Sequence, residues 1–226
     1  PSAGSDPEPP AGGQRLMLVG NVQAWADKFA TFDGRFLERV MAVWPGCMAA
    51  LPGQPGEDLI TINLVALLAK DPVVRRLCHW IEYQYEPFGL AADGSRFSKG
   101  KIDIGVLFGW ERELYLAYEC KRLNVVQKSG RSSLATEYVT QGMMRFLTEQ
   151  YAEGLPVGCM LGYVIDGDIP FAAERVANAI AGHGPLNLID SSAPVPPTGS
   201  ATRFRTRHLR SPSLEIELRH ALLPRG

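Results

Sequence analysis

The hydrophobic period of this chain changes near residue 80, and that change favours a fold in which helices pack on a sheet. Before it, Phe36, Leu37, Val40, Met41 and Val43 recur at helical intervals, predicting a helix over residues 32–48 that Pro45-Gly46 stops. A second helix is expected over residues 57–70, with Ile60, Leu64, Leu67 and Leu68 as its apolar stripe. Glu57 falls on the same stripe, so its carboxylate should face the body of the protein. Asp71-Pro72 then restarts a short helix, because Asp caps and Pro fits the first helical position. Beyond it the pattern alternates. Ile81, Tyr83 and Tyr85 interleave with Glu82, Gln84 and Glu86, a half-buried strand ended by Pro87.

Residues 101–108 and 113–121 also read as strands, joined as a hairpin by Gly109-Trp110-Glu111-Arg112. Ser132 or Ser133 should cap a long helix to about residue 151, followed by an apolar strand over 157–165 and a helix over 169–181. Residues 203–210 and 214–222 look like a weaker late strand pair, and the Pro- and Ser-rich stretch 191–200 like a loop. The core order α-β-β-β-α-β implies an α/β protein with a mixed sheet flanked by helices. Residues 1–20 open with Pro, Gly and Ser and are expected to be a flexible tail or linker. Residues 21–226 would be one domain with its core at 56–181, since 226 residues can bury one sizeable core.

Chemistry concentrates in the hairpin. Side chains on a strand alternate, so Glu119 and Lys121 share a face while Tyr118 and Cys120 take the other. A turn centred near Glu111 puts Asp103 across from Glu119 and Lys101 across from Lys121. Two carboxylates that close repel unless a cation lies between them, and their hard oxygens suit Mg²⁺ or Mn²⁺. Such a site polarises a phosphodiester and its attacking water, and Lys121 would orient or deprotonate that water if a nearby metal lowered its pKa. An exposed Glu-Lys ion pair is the plainer reading. Both strands are otherwise apolar, however, where uncompensated carboxylates are costly.

The Asp103 strand followed by Glu119-Cys120-Lys121 resembles the PD-(D/E)XK nuclease superfamily, with its restriction-endonuclease-like fold. The likeness spans residues 56–165, although no Pro precedes Asp103. The resemblance implies metal-dependent hydrolysis of DNA, with Asp103, Glu119 and Glu57 holding Mg²⁺ (or Mn²⁺) and Lys121 acting on the water. Glu57 fits the Glu that many members add from the first core helix, though the helix macrodipole alone favours an acid there. Asp58 is its rival but turns away from the stripe.

Nucleic-acid contacts are expected from Arg122, Lys128 and Arg131, from Arg203, Arg205 and Arg207 along one strand face, and from Gln141 and Arg145, which fall with Tyr138 along one helix face. The net charge of −1 means that only such local clusters could attract a polyanion. His208 and His220 suggest structural roles. Cys47, Cys78, Cys120 and Cys159 have no zinc-ligand spacing and read as reduced thiols. Cys78 and His79 are adjacent and diverge, which makes them a poor chelating pair. No apolar run reaches a membrane span, so a cytoplasmic protein without a membrane partner is expected. The resulting expectation is a Mg²⁺-dependent deoxyribonuclease in phage defence or restriction, working as a homodimer, in a larger complex or beside a fused domain. Its rivals are an RNA-directed nuclease and a non-catalytic nucleic-acid-binding or assembly module of the same fold.

Overall fold

The structure, a computed structural model, describes residues 22–109, 115–128, 130–198 and 201–226. The expected tail and most of the hairpin connection after Gly109 lie outside them. Helix α1 (Val22–Ala49) runs through Pro45 rather than stopping there. Proline removes one backbone N–H, but Trp44, Cys47 and Met48 are buried around it. Trp44 Nε1 also donates to Pro224 O at 2.6 Å, so tertiary contacts carry the last turn past the break. Helix α2 (Glu57–Leu68) buries Ile60, Leu64 and Leu68 as expected; Thr61 and Val65 take the remaining inward places and Leu67 is exposed. Asp71 Oδ1 accepts from the N–H groups of Val73 and Val74, starting α3 (Val74–Leu77).

Strands β1 (Trp80–Tyr85), β4 (Ile102–Leu107) and β5 (Tyr115–Leu123) form the antiparallel set read from the alternation. Between β1 and β4 lies a small hairpin, β2 (Phe88–Leu90) and β3 (Arg96–Ser98), which the alternation did not reveal. A second hairpin, β6 (Val125–Gln127) and β7 (Gly130–Ser132), follows β5. Strand β8 (Val157–Val164) pairs in parallel with β5.

The late strands are not peripheral. The stretch expected to be a loop holds the end of β9 (Leu188–Ser191) and β10 (Val195–Thr198), and β11 (Ala201–Ser211) and β12 (Leu214–Pro224) follow. Strand β12 pairs in parallel with β8 from Glu217↔Val157 to Pro224↔Val164, so the core extends well beyond residue 181. Ile216, Leu218, Leu222 and Leu223 are buried there, and burial on both faces explains why the strand lacks clean alternation. The sheet order is β1-β4-β5-β8-β12-β11-β10, with β9 pairing β11.

The long helix expected before β8 is broken into α4 (Ala135–Glu137), a π-helix (Tyr138–Met143) and α5 (Met144–Leu147). Its wider turn splits the expected polar face: Tyr138 is buried, Gln141 exposed and Arg145 between them. Helix α6 (Ile169–Gly182) is capped by Asp168, whose carboxylate accepts from Phe171 N. One core lies between the sheet and α1 with α2; the other lies between the sheet and the π-helix with α6. The result is a mixed α/β fold, and all four cysteines are buried free thiols. Among the described residues no helix is long and apolar enough to cross a membrane.

Candidate active site

The β4–β5 register runs from Leu107↔Tyr115 to Ile104↔Tyr118, and one further step would put Asp103 opposite Glu119, as the hairpin reading required. At that step the side chain replaces the ladder: Asp103 Oδ2 accepts from Cys120 N at 2.7 Å. Tyr118 and Cys120 belong to the core beneath α1, whereas Ala117 and Leu123 belong to the opposite core, so Glu119 and Lys121 project towards the π-helix. That helix can lie close because residue 142 is glycine. A Cβ there would stand 2.6 Å from Met160 Cε, 3.5 Å from Lys121 Cγ and 3.6 Å from Glu119 Cγ.

Four expected residues meet here. Lys121 Nζ lies 2.9 Å from Glu57 Oε1 and 2.9 Å from Glu119 Oε1, and the other Glu57 oxygen accepts from Arg122 N at 2.9 Å. Glu57 therefore reaches in from the start of α2, while Asp58 is exposed. Arg145 joins them, its Nη1 donating to Glu119 Oε1 at 2.9 Å and to Tyr151 Oη at 2.8 Å. Tyr151 Oη in turn donates to Lys101 O. Tyr151 was not singled out from the sequence, because its place depends on the chain folding back after α5.

The charges are strained by burial. Desolvation, and secondly the charge of Asp103, push Glu119 up to about 8; desolvation also raises Asp103, against the pull of Lys121. Burial by itself would lower Lys121, but Glu119, Glu57 and Asp103 outweigh it and hold the ammonium above its ordinary range. In these surroundings Lys121 is a charged donor, opposite in direction to the lowered pKa expected for a base.

Two buried side-chain oxygens among the described residues lack a hydrogen-bond partner, Asn124 Oδ1 and Glu119 Oε2, and only the second belongs to an acid. Glu119 Oε2 is buried and has no hydrogen-bond partner, although burying such an oxygen without one is costly. Among the described residues no group of three or more His, Cys, Asp or Glu side chains is arranged to hold a metal ion. The Lys121 ammonium already bridges Glu57 and Glu119. Mg²⁺, however, commonly uses one or two carboxylates with water and phosphate, and Asp103 with the orphaned Glu119 oxygen supplies that donor chemistry.

The other expected contacts are dispersed. Arg122 Nη1 bonds Pro55 O at 3.3 Å, Lys128 is exposed in the β6–β7 turn, and Arg131 pairs with Asp166 and Asp168 at 2.8 Å and lies over Phe171. Arg203, Arg205 and Arg207 share the strand face of Ala201, which belongs to the core beneath α1, on the side of the sheet away from Glu119. Arg207 is held by Asp190 and Glu215, and Arg205 approaches Glu217 at 3.8 Å. Acidic neighbours thus offset much of that stripe's charge. Comparison with models of protein families, with curated proteins and with solved structures yields no match.

Proposed function

We propose that this protein is a divalent-cation-dependent nuclease with a restriction-endonuclease-like fold, hydrolysing phosphodiester bonds of DNA at Asp103, Glu119 and Lys121. The orphaned, buried Oε2 of Glu119 carries this reading, because a desolvated acid oxygen without a donor is what a cation would relieve. Asp103 and Glu119 would hold the ion, with Glu57 at its border. When bound, Mg²⁺ or Mn²⁺ would supply Lewis-acid polarisation of the phosphodiester and a more acidic water. Lys121 and Arg145, which donate to Glu119, would present positive charge to a phosphate as it accumulates negative charge in the transition state. The seat of Glu119 beneath Gly142 keeps its carboxylate from bulk water.

The direct test incubates the full chain and its Asp103→Ala variant with plasmid, single-stranded DNA and RNA in Mg²⁺, Mn²⁺ or EDTA. Cation-dependent cleavage by the parent, lost in the variant, supports the reading; equal activity in both removes it. The RNA arm settles which nucleic acid is cut. A second reading, a non-catalytic nucleic-acid-binding module, is favoured by the two cations already paired with Glu119. It predicts no Mn²⁺ binding that depends on Asp103 and Glu119. A role in phage defence or restriction, and work as a homodimer, in a larger complex or beside a fused domain, extend the proposal by analogy of fold.

A further inference from the structure

Alternation along β1 should put Tyr85 on the same face as Ile81 and Tyr83, since residues two apart on a strand share a side of the sheet. The structure departs from this. Ile81 and Tyr83 pack against the core beneath α1, whereas Tyr85 is buried in the opposite core. The partner strand changes sides at the same level: Ile104 and Val106 lie beneath α1, and Ile102 lies with Tyr85. Tyr85 then crosses residue 105 so closely that a Cβ there would collide with its own Cβ, an approach that needs the glycine.

The level at which both strands turn over is that of Asp103. The β1–β4 register runs through Tyr83↔Ile104 and Tyr85↔Ile102, so Gln84 faces Asp103, and these two are not paired. Gln84 sits in the left-handed region with φ +54°, while Asp103 keeps a negative φ. A side chain enters that region at a cost, and a β-branched one almost never does. The turnover is therefore built into residue 84. On its other side Asp103 leaves the ladder too, for the β4–β5 register stops at Ile104↔Tyr118 and the carboxylate takes the Cys120 N–H instead. The Gln84 side chain is engaged elsewhere: its Nε2 donates to Tyr83 Oη at 3.0 Å, and Asp58 meets the same phenol. What residue 84 gives to Asp103 is backbone direction.

We propose that Gln84 is a positioning residue for Asp103: its left-handed backbone turns the β1–β4 pair over at the acid and frees the carboxylate to reach the Cys120 N–H beside Glu119. The inference deepens the nuclease reading, since a seated Asp103 is what the cation would need, but the seating is measured without any metal. The full chain is compared with Gln84→Gly, Gln84→Asn and Gln84→Val. Glycine takes positive φ freely and asparagine more readily than most residues, whereas valine resists it. In EDTA, exchange of the Cys120 amide is followed by NMR. Gln84→Gly and Gln84→Asn should keep its protection within about threefold, and Gln84→Val should lower it at least about tenfold while the other β5 and β8 amides stay protected. By calorimetry Mn²⁺ should bind Gln84→Val about tenfold more weakly and the other two variants nearly as the parent. Where Gln84→Val does not fold, Gln84→Ala takes its place, with a smaller effect in the same direction.

Cys120 protection in Gln84→Val equal to the parent's, or a loss shared by every amide of the sheet, overturns the proposal. So does a loss in Gln84→Gly as large as that in Gln84→Val, which would assign the effect to the side chain and its bond to Tyr83. A parent that binds no Mn²⁺ while Cys120 protection still drops only in Gln84→Val would sink the nuclease reading alone. Mn²⁺ bound equally by parent and variants, with Cys120 exchange unchanged, would sink the positioning role alone.

Discussion

Two buried polar clusters occupy the same side of the sheet, and they differ in whether their hydrogen bonds close. In one, Tyr138 Oη lies 2.9 Å from His220 Nδ1, His220 Nε2 2.9 Å from Thr206 Oγ1, Thr206 Oγ1 2.7 Å from His208 Nε2, and His208 Nδ1 2.9 Å from Leu186 O. A carbonyl can only accept, so His208 Nδ1–H donates to it and His208 Nε2 must accept from Thr206. The direction then propagates: His220 Nε2–H donates to Thr206, and Tyr138 donates to His220 Nδ1. Both imidazoles are neutral and every atom of the chain is used. In the other cluster three acids meet two cations, and one buried acid oxygen, Glu119 Oε2, has no partner. Burial perturbs charges in both, so perturbation alone does not separate a structural network from a chemical one. The unfilled valence does.

The sharpest way to break this contrast is Glu119→Gln or Asp103→Asn. Each should lower cation-dependent cleavage at least about a thousandfold, while the thermal midpoint stays the same or rises, because burial raises both acids and the neutral amide keeps an oxygen acceptor without the cost of ionisation. A collapse in the midpoint instead would make the acids structural. His220→Ala should behave in reverse. It leaves Tyr138 Oη without a partner and Thr206 bonded to His208 alone, and it opens a cavity, so about 2–4 kcal/mol of stability should go, measured by denaturant unfolding.

Acidification sharpens the comparison further. Burial, and then the neighbouring His208, push His220 down to about 3, below the ordinary imidazole value near 6.5. The unfolded chain therefore takes up the proton first, so stability is full above about pH 6.5 and falls as pH drops towards 3. Unfolding free energies from denaturant titrations across that range should decline by up to about 1.4 kcal/mol per pH unit for this group, and His220→Gln should flatten the slope. An unchanged slope in the variant would remove His220 from the account. The smallest effect concerns the open cluster: Arg145→Met removes one cation competing at Glu119, and calorimetry should find Mn²⁺ bound a few-fold tighter. Weaker binding would mean that Arg145 holds the acids in place for the ion.

Much of this is legible in the sequence. Alternation located β1, β4 and β5, and the two-residue spacing put Glu119 and Lys121 on one face, since strand periodicity is a local property of the backbone. Helical spacing likewise aimed Glu57 inwards, where it meets Lys121. Less was legible where distant segments decide. Pro45 reads as a stop, yet contacts with the C-terminal strand hold the helix together past it. The π-helix, invisible to a fixed 3.6-residue period, redistributes Tyr138, Gln141 and Arg145.

The intervals at which residue types recur along the chain are enough to identify the strands and helices nearest the acids and the face each acid takes. Long-range packing, by contrast, brings β12 into the sheet beside β8, turns the arginine stripe to the far face and closes Arg145 and Tyr151 around Glu119. Local periodicity is set by backbone geometry over a few residues. Which cation meets which carboxylate depends instead on packing between segments far apart in the chain, where burial strengthens each charge and each missing partner.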